Sequence, residues 1–149
     1  MSLAAYQKKR KFSQTPEPIG KVKRKRKELI FVVHEHWASH HHFDFRLEID
    51  GALKSWAVPK GPPRENGEKK LAIKVEDHPL EYASFKGTIP EGQYGAGKVE
   101  IWDKGKLEIL EKTGNSIKFK LLGRKLKGEF SIFHPPSFEK KSWLFLKNT

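Results

Sequence analysis

From Glu28 onward, apolar and polar residues alternate with a period of two, the repeat of a strand that buries one face. In HFDFRLEI, Phe43, Phe45, Leu47 and Ile49 share one face, while His42, Asp44, Arg46 and Glu48 share the other. Asp50-Gly51 follows, a two-residue hairpin signal, so ALKSWAV is predicted as the next strand, antiparallel to the first. The preceding run, ELIFVVHEH, puts His34 and His36 together on one face. Further strands are predicted at KLAIKVE, GKVEIWDKG, KLEILEK, SIKFKLL, GEFSIF and SWLFLKN, separated by Gly, Pro and Asn. No window carries a helical stripe of useful length, although a loop leaves room for a short helix. Short strands with close turns point to a mainly β protein, either a small closed antiparallel β-barrel of about eight strands or a sandwich. The aromatic and aliphatic face must point inward. His42, Asp44 and Arg46 are therefore expected on the outer surface, where a site would be a groove outside the barrel.

At 149 residues the chain is long enough for one domain with its own core. With no cysteine, disulfides and thiolate zinc sites are excluded, and any metal must be held by His and carboxylate. No apolar segment of membrane-spanning or signal-peptide character is present, so the expectation is a soluble, cytoplasmic protein without a membrane partner. Thirty basic residues against 18 acidic ones give a formal charge of +12, which favours a polyanionic partner. The excess is concentrated in residues 1–28, with ten basic and two acidic side chains. These residues are read as a basic, partly flexible N-terminal arm, able to bind phosphate or simply to be solvated, and 29–149 as the β-barrel domain.

Five of the seven histidines lie in HEHWASHHHFD. His42 and Asp44 are next neighbours on one strand face, and His36 can fold back to them across the turn at WASHH. Two imidazoles and a carboxylate form a set with open positions, suited to Mn, Fe or Zn. The plainer reading is a turn of polar histidines that binds nothing. Arg46 favours the first reading: a guanidinium beside a metal makes sense when an anion such as phosphate bridges them. VEDHPLEYASF supplies Glu76, His78 and Tyr82, a second cluster that could contact a phosphoryl group if it faces the first. IPEGQYGAGKVEIW is read as a tight glycine-rich loop before a strand, and most Trp and Phe residues as core.

Three long strings, HEHWASHHHFDFRLEIDGALKSWAVPKGPP, VEDHPLEYASFKGTIPEGQYGAGKVEIWDKG and the closing SWLFLKN, resemble the 3'-phosphoesterase domain of bacterial DNA ligase D and its free-standing bacterial and archaeal relatives. The leader YQKKRKFSQTPEP is similar to that family's as well. The resemblance implies a small β-barrel with its site in an outer groove and a Mn²⁺-dependent activity on 3' ends, with Zn²⁺ or Co²⁺ as substitutes. A phosphodiesterase step would remove a 3'-terminal ribonucleoside, and a phosphomonoesterase step the resulting 3'-phosphate. By the same resemblance His36, His42 and Asp44 match the metal ligands. Arg46, His78 and Tyr82 match groups on the scissile phosphate, and Arg10, Glu17 and Glu76 match further functional positions. Two departures stand out. The chain reads KRKF where the ligase D domains usually read KRDF, placing Lys11 at an acidic position and bearing on the phosphomonoesterase step; His34 stands where many have Gln, bearing on the metal set.

The expected substrates are primer-template DNA, or DNA with a 3'-terminal ribonucleotide or 3'-phosphate, with a separate ligase and polymerase or primase as partners. Two other readings are a non-catalytic nucleic-acid-binding β-barrel and a non-haem Fe(II) oxygenase, whose two-His-one-carboxylate outline HFD also fits.

Overall fold

The structure, a computed structural model, describes residues 3–10, 17 and 28–149. Lys11 lies outside them. Among the described residues the strands are β1 (Leu29–Trp37), β2 (His41–Ile49), β3 (Ala52–Val58), β4 (Lys69–His78), β5 (Gly87–Ile89), β6 (Gly97–Lys112), β7 (Ser116–Leu122), β8 (Lys127–Phe133) and β9 (Ser142–Lys147). Helix is confined to α1 (Ala4–Lys8) and a 3₁₀ turn, Leu80–Ser84. Neither is long and apolar enough to cross a membrane.

All neighbours pair antiparallel in the order β1-β2-β3-β4-β9-β8-β7-β6, and β6 pairs back onto β1, closing a barrel of eight strands. β5 is an extra strand along the first turns of β6. The predicted hairpin forms at Asp50 and Gly51, both with positive φ (53° and 81°), as a two-residue turn of this hand requires. GKVEIWDKG and KLEILEK, predicted as two strands, are one strand of 16 residues. Its first half pairs with β1 and β5 and its second half with β7. Gly105 does not break it; a Cβ there would lie 2.1 Å from the Leu122 carbonyl oxygen, so the glycine permits a close backbone approach.

Phe45, Trp56, Phe119, Phe130 and Phe145 fill the interior, with Phe45 and Phe145 stacked at 4.3 Å. A second apolar cluster lies on the outside of the wall. Val32 of β1 and Leu53 of β3 are covered there by Leu80, Tyr82, Ala83, Phe85, Ile89 and, from the arm, Tyr6. From the arm, Leu3 and Tyr6 are both buried. The Tyr6 ring packs 4.9 Å from His78 and edge-on to Tyr82. The expected outer surface is corrected: Asp44 and Arg46 point out of the barrel but are buried, because this second layer roofs them.

Tyr6→Ala should cost the docked arm about 3 kcal/mol of packing. Native-state hydrogen exchange should show the amides of Gln7 and Arg10 losing protection while Phe45 and Phe130 keep theirs. Unchanged protection at Gln7 would contradict the docking role.

Candidate active site

The hairpin of β1 and β2 builds the centre. In its register His36 faces His42 and His34 faces Asp44, so the outward side chains of two adjacent strands converge. One ligand atom from each of His36, His42 and Asp44 lies within 4.8 Å of the others. Partners fix each ring. The His36 Nε2–H donates to the Gly95 carbonyl at 2.8 Å, leaving Nδ1 to face Asp44 Oδ2 at 3.4 Å. The His42 Nδ1–H donates to the His40 carbonyl at 2.8 Å, leaving Nε2 to face Asp44 Oδ1 at 3.3 Å. With both rings neutral, two imidazole lone pairs would point at one carboxylate, an arrangement that repels; a proton on these nitrogens or a cation between them relieves it. In the protein alone the hydrogen bond to Asp44 raises the pKa of His42. Burial opposes ionisation of Asp44, yet the Arg46 guanidinium and the two histidines hold its carboxyl well below the usual range. The donor set, its outward lone pairs and its carbonyl braces fit a divalent cation.

Arg46 bridges this centre to the next layer. Its Nε donates to His34 Nδ1 at 3.1 Å and its Nη2 lies 3.5 Å from Asp44 Oδ2. Its Nη1 is buried and has no hydrogen-bond partner among the described residues. The Tyr82 ring packs 4.9 Å from the guanidinium. His34 is fully buried and donates its Nε2–H to the Phe85 carbonyl at 3.0 Å. Both its nitrogens are thus engaged, so it joins neither the metal cluster nor the wall of the cavity. Burial and the adjacent Arg46 push its pKa down to about 3.

The second cluster does face the first. β4 carries a bulge in which Glu76 and Asp77 oppose the single Lys54 of β3, turning Glu76 and His78 toward the cavity. His78 donates its Nδ1–H to the Glu76 carbonyl at 3.1 Å and accepts from Arg10 Nη2 at 3.4 Å. Burial, then Arg46 and Arg10, holds His78 neutral, its pKa well below the usual value. Arg10 is clamped by Glu17 at 2.9 Å and Glu76 at 3.3 Å, with its guanidinium 4.0 Å from the Tyr6 ring. The Tyr82 hydroxyl donates to Glu17 at 3.1 Å, and burial raises its pKa well above the usual value. Arg10 and Glu17 thus brace His78 and Tyr82 from the arm. A cavity of about 330 Å³ lies between the two clusters, with Arg10, His36, His42, Asp44, Arg46 and His78 in its wall. His41, exposed at the start of β2, instead pairs with half-buried Glu35.

The glycine-rich loop contributes more than the sequence indicated. Gly95 orients His36, and Tyr94 lines the cavity. Loops have no periodicity, and the only available signal was a tyrosine set among glycines.

With this geometry in place, comparison with known proteins decides the family. Residues 34–134 match the model of the DNA Ligase D 3'-phosphoesterase domain. The chain belongs to that family. It is 48% identical over 151 residues to the Multifunctional non-homologous end joining protein LigD of Pseudomonas aeruginosa, covering 97% of this chain and 18% of that protein. It is 55% identical over 104 residues to the Multifunctional non-homologous end joining DNA repair protein LigD of Mycobacterium tuberculosis, covering 69% and 14%. With the Mycolicibacterium smegmatis LigD it shares 40% over 154 residues, covering 95% and 20%. The chain spans a fifth or less of these relatives. Membership in a phosphoesterase family speaks against the oxygenase reading.

His34 also sets a pH dependence. Its pKa is about 3 in the native state against an ordinary 6.5, so between those values the unfolded chain binds a proton that the native chain does not. Its contribution to stability is complete above pH 6.5 and is lost as pH falls toward 3, with a slope of up to about 1.4 kcal/mol per pH unit. In urea unfolding without metal, His34→Gln should fall less steeply across this window than the unmodified chain. Equal slopes would contradict the burial of a neutral His34.

Proposed function

We propose that this chain is a metal-dependent phosphoesterase that prepares DNA 3' ends for non-homologous end joining. It hydrolyses the phosphodiester of a 3'-terminal ribonucleoside, releasing the nucleoside and leaving a 3'-phosphate. It then hydrolyses that monoester to inorganic phosphate and a 3'-OH. The observation that carries the reading is Arg46, whose Nη1 has no hydrogen-bond partner among the described residues while the rest of its guanidinium lies against Asp44 and His34. A buried guanidinium beside a cation site calls for an anion touching both, and a phosphate fits.

His36, His42 and Asp44 would hold the cation, Mn²⁺ with Zn²⁺ or Co²⁺ as substitutes. When bound it withdraws negative charge from a phosphate oxygen. Arg46 Nη1 donates to a second oxygen, and His34 keeps the guanidinium in the required plane. His78 is held neutral, its Nδ1–H on the Glu76 carbonyl and its Nε2 accepting from Arg10, so it orients that guanidinium at the cavity without adding a charge of its own. The Tyr82 ring keeps Arg46 and His78 apart and oriented, with Glu17 anchoring its hydroxyl. Water is the attacking species. In the phosphomonoesterase step Arg10, Glu17 and Glu76 hold the arm's side of the site. The products suit a separate ligase and polymerase, and the +12 charge suits the DNA.

The test uses a 5'-labelled primer ending in one ribonucleotide, annealed to a longer template, with Mn²⁺ or EDTA. Loss of the terminal nucleoside in Mn²⁺ alone is expected, and the product end resolves the second step. Arg46→Ala should lower kcat by about 100-fold or more. Absence of cleavage with Mn²⁺, Zn²⁺ and Co²⁺ would favour a non-catalytic DNA-binding barrel.

A further inference from the structure

Tyr94 is 47% exposed in the wall of the cavity, its hydroxyl accepting from Lys9 Nζ at 3.4 Å. Two turns hold it there, closed by Gln93 N–H to the Pro90 carbonyl at 3.2 Å and Ala96 N–H to the Gln93 carbonyl at 3.1 Å. Gly92 and Gly95 supply the positive φ these turns require, 84° and 75°. The next residue's carbonyl is the one that fixes His36, so the ring is tied within one residue to the candidate metal centre. Lys9 Nζ lies over the ring, 4.6 Å from its centroid, on an exposed side chain that an incoming base could displace toward its phosphate, and the clamped Arg10 guanidinium lies at 5.2 Å.

An exposed aromatic adds nothing to the binding of phosphate itself. It suits a flat, polarisable group carried by that phosphate, and cations beside it suit a polyanion's own charge. The cavity, at the small end of ligand sites, suits a strand end better than a duplex. We infer that Tyr94 is a base-stacking residue that receives the terminal nucleoside of the 3' end, giving the site a preference for ends that carry a base. This rests on the phosphoesterase reading above. Stacking on an aromatic tolerates any base, so the residue would read the presence of a base and not its identity.

The test compares two labelled primer-templates that differ only at the 3' terminus, one ending in a ribonucleoside and the other in 1-deoxyribose, which lacks the base. Cleavage in Mn²⁺ gives kcat/KM for each, and fluorescence anisotropy in EDTA gives each affinity without turnover. The unmodified protein should favour the base-bearing end about tenfold in both readouts. Tyr94→Ala should bring both ratios close to one, while Tyr94→Phe, which retains the ring, should keep them. No preference in the unmodified protein, or an equal fall on both ends in Tyr94→Ala, would overturn the inference. Cleavage of neither end would overturn the phosphoesterase reading instead, and the anisotropy ratio would still decide the stacking.

Discussion

The Asp44 carboxylate meets one nitrogen from each of two imidazoles and a guanidinium, and the surrounding wall is arranged to keep that meeting in place. Backbone carbonyls of Gly95 and His40 fix the two rings. Cross-strand register sets His36 opposite His42 with Asp44 one step further along the same face. A buried carboxylate facing two imidazole nitrogens calls for a proton or a cation between them. The strain-free alternative, turning either ring over, would forfeit a 2.8 Å hydrogen bond to a backbone carbonyl.

A barrel usually leaves its outer wall to solvent. Here the outer wall near the centre carries Val32 and Leu53, and burying them draws the 80–89 segment and the arm onto the sheet. That layer does two further things. It removes water from around Arg46, His34 and His78, which strengthens their electrostatic interactions and holds the histidines neutral. It also brings in Arg10 and Glu17, which brace His78 and Tyr82 across a large separation in sequence. Apolar packing and site chemistry thus depend on the same few contacts.

Much of this was legible in the sequence. Period-two alternation and Asp50-Gly51 sufficed for a mainly β protein and its central hairpin, because register there is local, while the choice of barrel over sandwich rested on the family resemblance. The same alternation placed His42, Asp44 and Arg46 on one face with His36 across the turn. It could not show that this face would be roofed, since that depends on contacts between residues far apart in the chain. A signal was nonetheless present: Val32 is apolar on the strand face that carries His34 and His36, and Leu53 on the face that carries Ser55. The merging of two expected strands into β6 turned on Gly105, whose role is closeness to Leu122 and not a turn. His34 could be numbered as a candidate, but its occupation by Phe85 and Arg46 is a fact of packing. Tyr94 and Gly95 lie in a loop where no periodicity speaks.

On the proposed reading His36 through Nδ1, His42 through Nε2 and Asp44 would together hold one cation. The most direct measurement is the imidazole ¹⁵N spectrum during a titration with Zn²⁺, a diamagnetic stand-in for Mn²⁺. The expected result is saturation at one equivalent, with the coordination shift on Nδ1 of His36 and on Nε2 of His42 and with no shift of that kind at His34. Coordination through His36 Nε2, or through His34, would contradict the account.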